Sequence, residues 1–259
     1  MKVELDFRKS VQENAAAYYD ESKKLREKAK GAEKAAVDTE KKLAELEKRI
    51  AAEKEKAPAK VRVKREKEWF ERFRWFRTSG GRLCIAGRDA KQNEVVVSKY
   101  LEEGDLFFHA EIHGAPATVL KGGAEAGEAE KREAAQFAAS YSSAWKLGTA
   151  TVDVYAVKKE QVSKRTEAGE SAGKGAFIIR GEREWFKSTP LGLVVGTVGE
   201  RIEVAPAVSG GKGFGAFVGI RPGEAPKDGA AKSVLRALGG KVSVDEILQA
   251  LPSGDTAVG

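Results

Sequence analysis

The chain has 259 residues, room for one ordinary domain with an extension or for two small ones. With 46 Lys and Arg against 39 Asp and Glu, a net charge of +7 and a pI near 9.3, it favours an anionic partner such as nucleic acid; the bland alternative is a solubilising surface. A single cysteine, Cys84, excludes an internal disulfide framework and a multi-cysteine zinc site, and no apolar run reads as a signal or a membrane span, so a cytoplasmic location without a membrane partner is expected.

Residues 11 to about 57 read as one long helix, rich in Ala, Glu, Lys and Leu, with a single glycine (Gly31) and no proline. Val11, Ala15, Tyr18, Leu25, Ala29, Ala32, Ala36, Leu43, Leu46 and Ile50 step by alternating four and three, with Ser22 and Thr39 in the same frame. This is a heptad seam with charged outer faces, so a coiled-coil arm is predicted. Pro58 ends the helix. A second, shorter helix is predicted from about Lys60 to Phe76, with Trp69, Phe73 and Phe76 on one stripe and a basic start, Lys60-Val61-Arg62-Val63-Lys64-Arg65. The longer first helix therefore keeps an unmatched seam, for a coiled-coil partner or for self-association. Aromatics interleaved with Arg72, Arg74 and Arg77 suit stacking on unpaired bases, while their helical spacing suits docking of the arm onto a domain.

From Thr78 the texture changes to short strands mixed with helices. Strands are predicted at Arg82–Ala86, Asp105–His109, Thr118–Lys121, Thr151–Val157, Gly175–Arg180, Leu193–Val198 and Arg201–Pro206. A helix is predicted over Glu125–Trp145, two short ones over 230–238 and 243–251, and a tail after Pro252; Glu94–Leu101 fits either state. The fold class is α/β (α+β): a helical coiled-coil arm over residues 1–76, then a mixed-sheet domain with flanking helices over 77–259.

Candidate chemistry gathers at a few places. Gly87-Arg88-Asp89-Ala90-Lys91-Gln92-Asn93 follows a strand; its backbone, with Arg88 and Lys91, can meet phosphate, and Gln92 and Asn93 can read base edges or ribose. The alternative role of Arg88 and Asp89 is to orient the turn. His109, Glu111 and His113 hold both histidines at alternating positions and project from one face if the strand continues. They can hydrogen-bond RNA or pack internally; two imidazoles and a carboxylate are also the ligand set of a metal-dependent hydrolase. Lys121, Lys164 and Arg180 extend the basic surface, with Arg165, Lys174 and Arg183 around a glycine-rich turn. Lys212 in Ser209-Gly210-Gly211-Lys212-Gly213 lacks P-loop spacing, and Cys84 sits in an apolar run as a small hydrophobe. No cofactor is expected.

Several segments in order resemble one family. Trp75-Phe76-Arg77-Thr78-Ser79, Gly87-Arg88-Asp89-Ala90-Lys91-Gln92-Asn93-Glu94 and His109-Ala110-Glu111-Ile112-His113-Gly114-Ala115 are similar to the signature segments of the NFACT RNA-binding domain. Phe137-Ala138-Ala139-Ser140-Tyr141-Ser142-Ser143-Ala144-Trp145-Lys146, Val152-Asp153-Val154-Tyr155, Gln161-Val162-Ser163-Lys164 and Lys174-Gly175-Ala176-Phe177-Ile178-Ile179-Arg180-Gly181 fit the same pattern. The arm, through Glu13-Asn14-Ala15-Ala16-Ala17-Tyr18-Tyr19, looks like the family's helix leading into that domain. The family's usual Gly-Gly-Arg-Asp reads Ala86-Gly87-Arg88-Asp89.

The resemblance implies a non-enzymatic RNA-binding module of a ribosome quality-control factor. Its implied partners are tRNA, ribosomal RNA and the large ribosomal subunit. The implied contacts fall on Arg88, Lys91, Gln92, Asn93, His109, His113, Lys121, Lys164 and Arg180. The family's N-terminal domain, with its Asp-Arg pair associated with C-terminal tailing, has no counterpart in these residues, so tailing by this polypeptide alone is not expected.

Overall fold

A computed structural model describes residues 4–56, 67–164, 172–199, 201–240 and 242–259, with side chains placed from residue 4 to 48 in the first stretch. The chain divides into two units, Met1–Arg65 and Glu66–Gly259.

The first unit is helix α1, Val11–Lys56. Its start is fixed by a reciprocal capping box: the Ser10 N–H donates to Glu13 Oε2 at 2.7 Å and the Glu13 N–H to Ser10 Oγ at 3.3 Å. These bonds to Ser10 hold the Glu13 carboxyl below its ordinary pKa. Asn14 gathers the preceding turn, accepting from the Asp6 N–H and donating to the carbonyls of Asp6, Lys9 and Ser10. Beyond this knot the seam predicted from the heptads is open: Val11, Tyr18, Leu25, Leu43 and Leu46 are exposed. No described helix is long and apolar enough to cross a membrane.

The second unit opens differently from expectation. The basic run Lys60–Arg65 lies outside the described residues, and Trp69–Phe76 is not α-helical. Trp69–Arg72 is one 3₁₀ turn and Arg74–Arg77 is a strand, β1. The helix-like aromatic spacing arises because a turn and a strand in succession bury Phe70 and Phe73 in one core of this unit and Phe76 in the other. The following elements are β2 (Leu83–Ala86), α2 (Ala90–Val95) running into a π turn (Val96–Tyr100), β3 (Leu106–Ala110), β4 (Thr118–Leu120), α3 (Glu128–Ser140), α4 (Ser143–Lys146) and β5 (Thr151–Lys158). Then come β6 (Val162–Ser163), β7 (Ile178–Ile179), β8 (Glu184–Pro190), β9 (Leu193–Val198), β10 (Arg201–Pro206), β11 (Phe217–Pro222), α5 (Lys227–Ala237), α6 (Val244–Ala250) and β12 (Thr256–Val258).

The architecture is α+β. An antiparallel six-stranded sheet has the order β1-β2-β4-β3-β5-β8, and a four-stranded sheet the order β10-β9-β11-β12. The strand predicted over Gly175–Arg180 is only the two residues of β7, paired with β6. The predicted tail carries β12, which completes the smaller sheet. Thr256 in β12 is fully buried and its Oγ1 accepts from Trp145 Nε1 at 3.2 Å, pulling the C-terminus onto α4.

Strand alternation divides the larger sheet between two cores. Cys84, Ala86, Leu106, Phe108, Val154 and Ala156 face α3, which also packs on β10 of the smaller sheet. Ile85, Phe107, Val119, Tyr155 and Val157 face the opposite way, under Phe70, Phe73, Val96 and Leu101. Burial raises the Cys84 thiol pKa well above its ordinary value, so it is an inert small hydrophobe.

Trp145 is the largest fully buried side chain. Trp145→Ala removes its packing and leaves Thr256 without its donor, and is expected to cost about 3–5 kcal/mol, read as a lowered midpoint in urea denaturation.

Candidate nucleic-acid interface

The segment from Gly87 to Asn93 is wired into the fold rather than held open. Gly87 is buried, and a Cβ there would stand 2.1 Å from Asn93 Oδ1 and 2.7 Å from Asn93 N, so no other residue fits without displacing the turn. Asp89 caps α2, accepting from the Gln92 N–H at 2.8 Å. Asn93 Oδ1 accepts from the Ala117 N–H at 3.1 Å, and Gln92 Oε1 from the Arg88 N–H at 3.0 Å.

Arg88 spends its guanidinium on three carbonyls. Nε donates to Arg72 at 3.2 Å, one terminal nitrogen to Phe73 at 3.1 Å and the other to Gln249 at 3.0 Å. It thereby ties the 3₁₀ turn to the last turn of α6, where a cation also suits the exposed helix carbonyls. Arg74 beside it lies over the Tyr141 ring at 4.5 Å and donates to Gly87 O at 3.1 Å. Burial lowers the Arg74 pKa from its ordinary value and raises that of Tyr141 to about 12. In this segment Lys91 alone is a predicted contact whose side chain is exposed with no internal bond among the described residues.

The other predicted contacts separate. Lys121 donates to Tyr100 O, Glu102 and Asp105 at 2.9, 2.6 and 2.5 Å. Burial works to lower its pKa, but the bonds to Asp105 and Glu102 outweigh it and the net direction is upward, so the ammonium is locked as a structural ion. Lys164 is bound to Glu94 at 2.8 Å and to the carbonyls of Gly173 and Ala176. Arg180 and His113 are exposed. The strand carrying His109 stops at Ala110, because the chain turns at residues 111–114, so His109, Glu111 and His113 do not continue along one strand face. Among the described residues no three His, Cys, Asp or Glu side chains come together as a metal-binding group, and the hydrolase alternative draws no geometric support.

His109 instead begins a row that sequence reading missed. On the face of the larger sheet opposite α3, His109 of β3 is paired with Tyr155 of β5, and Tyr155 with Trp185 of β8. Ring centroids are 5.8 Å apart in the first pair and 5.6 Å in the second. Arg183 lies over the Tyr155 ring at 4.5 Å, and Lys187 Nζ stands 3.8 Å from the Trp185 centroid. A bulge places Lys187 there: Lys187 and Ser188 together oppose Asp153 between the pairs Val152–Thr189 and Val154–Phe186. Ser188, at φ 49, is the one described non-glycine residue with positive φ. Asp153 clamps it, accepting from Lys187 Nζ and from the Ser188 N–H, both at 2.8 Å. Those two bonds also hold the Asp153 carboxyl below its ordinary pKa. The sequence signal for this rim is Arg183, Trp185 and Lys187 at every second position.

Comparison with known proteins gives a consistent set. Residues 72–181 match the family described as the NFACT protein RNA binding domain. The archaeal Rqc2 homologue aRqcH of Methanocaldococcus jannaschii is 42% identical over 209 residues, which is 78% of this chain and 31% of that protein. The NEMF homologue of Drosophila melanogaster, a ribosome quality control complex subunit, is 35% identical over 195 residues, 73% of this chain and 19% of that protein. Human NEMF, named as a subunit of the same complex, is 35% identical over 184 residues, 69% of this chain and 16% of that protein. The chain thus spans less than a third of the length of these relatives.

Two outcomes follow from the geometry. Arg88→Ala is expected to lower stability by about 1–3 kcal/mol through the lost charged hydrogen bonds, while Lys91→Ala stays within about 0.5 kcal/mol; paired denaturation curves check both. Burial, as the main cause, lowers the His109 pKa from its ordinary 6.5, against hydrogen bonds to the backbone of Ala110 and Ala115. The unfolded chain therefore takes up a proton first as pH falls, so this contribution is complete above pH 6.5 and is lost as pH falls through the folded-state value. Urea-denaturation stability is expected to decline as pH falls below about 6.5, and His109→Gln to flatten that decline.

Proposed function

Because the chain belongs to the NFACT family, carrying that family's RNA-binding domain over residues 72–181, we propose that it is the RNA-binding module of a ribosome quality-control factor. It acts in the cytoplasm on stalled large ribosomal subunits, with tRNA and ribosomal RNA as ligands. The domain match is the observation that carries this reading. The net charge of +7 agrees with it, since cations that displace counterions from phosphates supply most sequence-independent affinity.

The role is binding rather than catalysis. Several cations named from sequence serve the fold from within: Arg88 and Lys164 hold backbone carbonyls, and Lys121 holds two carboxylates and a carbonyl. Lys91, exposed on the same segment as Arg88, is better placed to meet phosphate. The open seam of α1 supports a further part of the proposal, that the arm pairs with a helix of another chain or of a second copy.

The test is filter binding of tRNA and ribosomal RNA fragments across a salt series. Log affinity is expected to fall linearly with log salt, and Lys91→Ala to make that slope shallower by about one. Binding that is absent, or indifferent to salt, overturns the reading.

A further inference from the structure

The family match ends at residue 181, and the row of rings finishes beyond it at Trp185. We propose that the β8 rim of the larger sheet, at Trp185 flanked by Arg183 and Lys187, is a stacking site for an unpaired RNA base. This rests on the RNA-binding reading and adds to it the state of the RNA recognised.

The row crosses the sheet and ends at its outer strand. His109 is half-buried between Phe107 and Tyr155, Tyr155 is 7% exposed beneath Arg183, and Trp185 is 37% exposed at the outer strand. Of the three rings only Trp185 is exposed, with Lys187 Nζ over it at 3.8 Å and Arg183 Cζ at 5.7 Å. Tyr155 packs on Trp185 in a T-shaped contact, with an interplanar angle of 69°, which fixes the indole. The bulge at Lys187–Ser188 adds a second observation: a backbone conformation unusual for serine, clamped by Asp153, turns an ammonium toward that ring.

Charge identifies what kind of ligand fits. Asp153 is bound to Lys187, Glu184 to Lys131 at 3.0 Å, and Glu111 lies 3.9 Å from Arg183. Cations and carboxylates nearly balance, so this rim is not a phosphate trap. What it presents is a π surface between two cations, which suits a flat, polarisable, uncharged ring. A nucleobase is such a ring, and it is available for stacking where RNA is unpaired and not inside a duplex.

The experiment is fluorescence anisotropy with labelled single-stranded oligoadenylate and a duplex RNA of equal length, using the full chain. Trp185→Ala is expected to weaken single-strand binding roughly 5- to 100-fold, to change duplex binding less than about two-fold, and to leave the salt slope unaltered. Trp185→Phe is expected to recover most of the affinity. In the unaltered protein the single strand should quench tryptophan emission, and Trp185→Phe should abolish that quenching while still binding, a readout that does not depend on the alanine variant folding. Equal loss on single strand and duplex, an unchanged single-strand affinity, a shallower salt slope or quenching that persists without Trp185 each overturn the site. If the unaltered protein binds no RNA of either kind, the RNA-binding reading falls first and this proposal with it.

Discussion

A sheet covered on both faces must be apolar in both directions, and this constraint governs the second unit. In β2, β3, β4 and β5 consecutive residues alternate between two cores, one under α3 and one under the turn that carries Phe70 and Phe73. Polar side chains are admitted chiefly where they are fully bonded, as with Asp105 and Glu130, or at strand ends and outer strands. Any surface the larger sheet offers to a partner is therefore a rim, and β8 is one of its two outer strands.

The same economy explains the fate of Arg88. A guanidinium has five donors in a fixed fork and no acceptor, so it can join several carbonyls whose own helix or turn cannot satisfy them. Here it spans the 3₁₀ turn at Arg72–Phe73 and the end of α6 at Gln249, segments far apart in the chain. The motif that looks like a phosphate loop is a structural junction, and Asp89, which would repel phosphate, is its helix cap.

How much of this was legible in the sequence depended on the range of the interactions. Leu193–Val198 and Arg201–Pro206 were readable to the residue, because local apolar character and turn residues define them. The heptads of α1 are local as well. Trp69–Phe76 misled because a turn followed by a strand buries Phe73 in one core and Phe76 in the other, three residues apart without any α-helix. β8 escaped notice because its bulge breaks the period of two between Phe186 and Thr189. β12 escaped because a three-residue strand near the end of the chain is stabilised almost wholly by distant partners, β11 and Trp145. The domain and its family were therefore legible, whereas the roles of Arg88, Lys121 and Lys164 waited on contacts that only the folded chain supplies.

The bulge in β8 also bears on solubility. An outer strand is a template on which a strand from another molecule can add, and flat regular edges are the ones that aggregate. At β8 the extra residue, the positive φ of Ser188, the lysine turned across the edge and Pro190 at its end all interrupt a regular hydrogen-bonding row. Whatever ligand meets Trp185, this geometry lets the chain keep an exposed indole on an unpaired edge while making that edge a poor seed for sheet-to-sheet association.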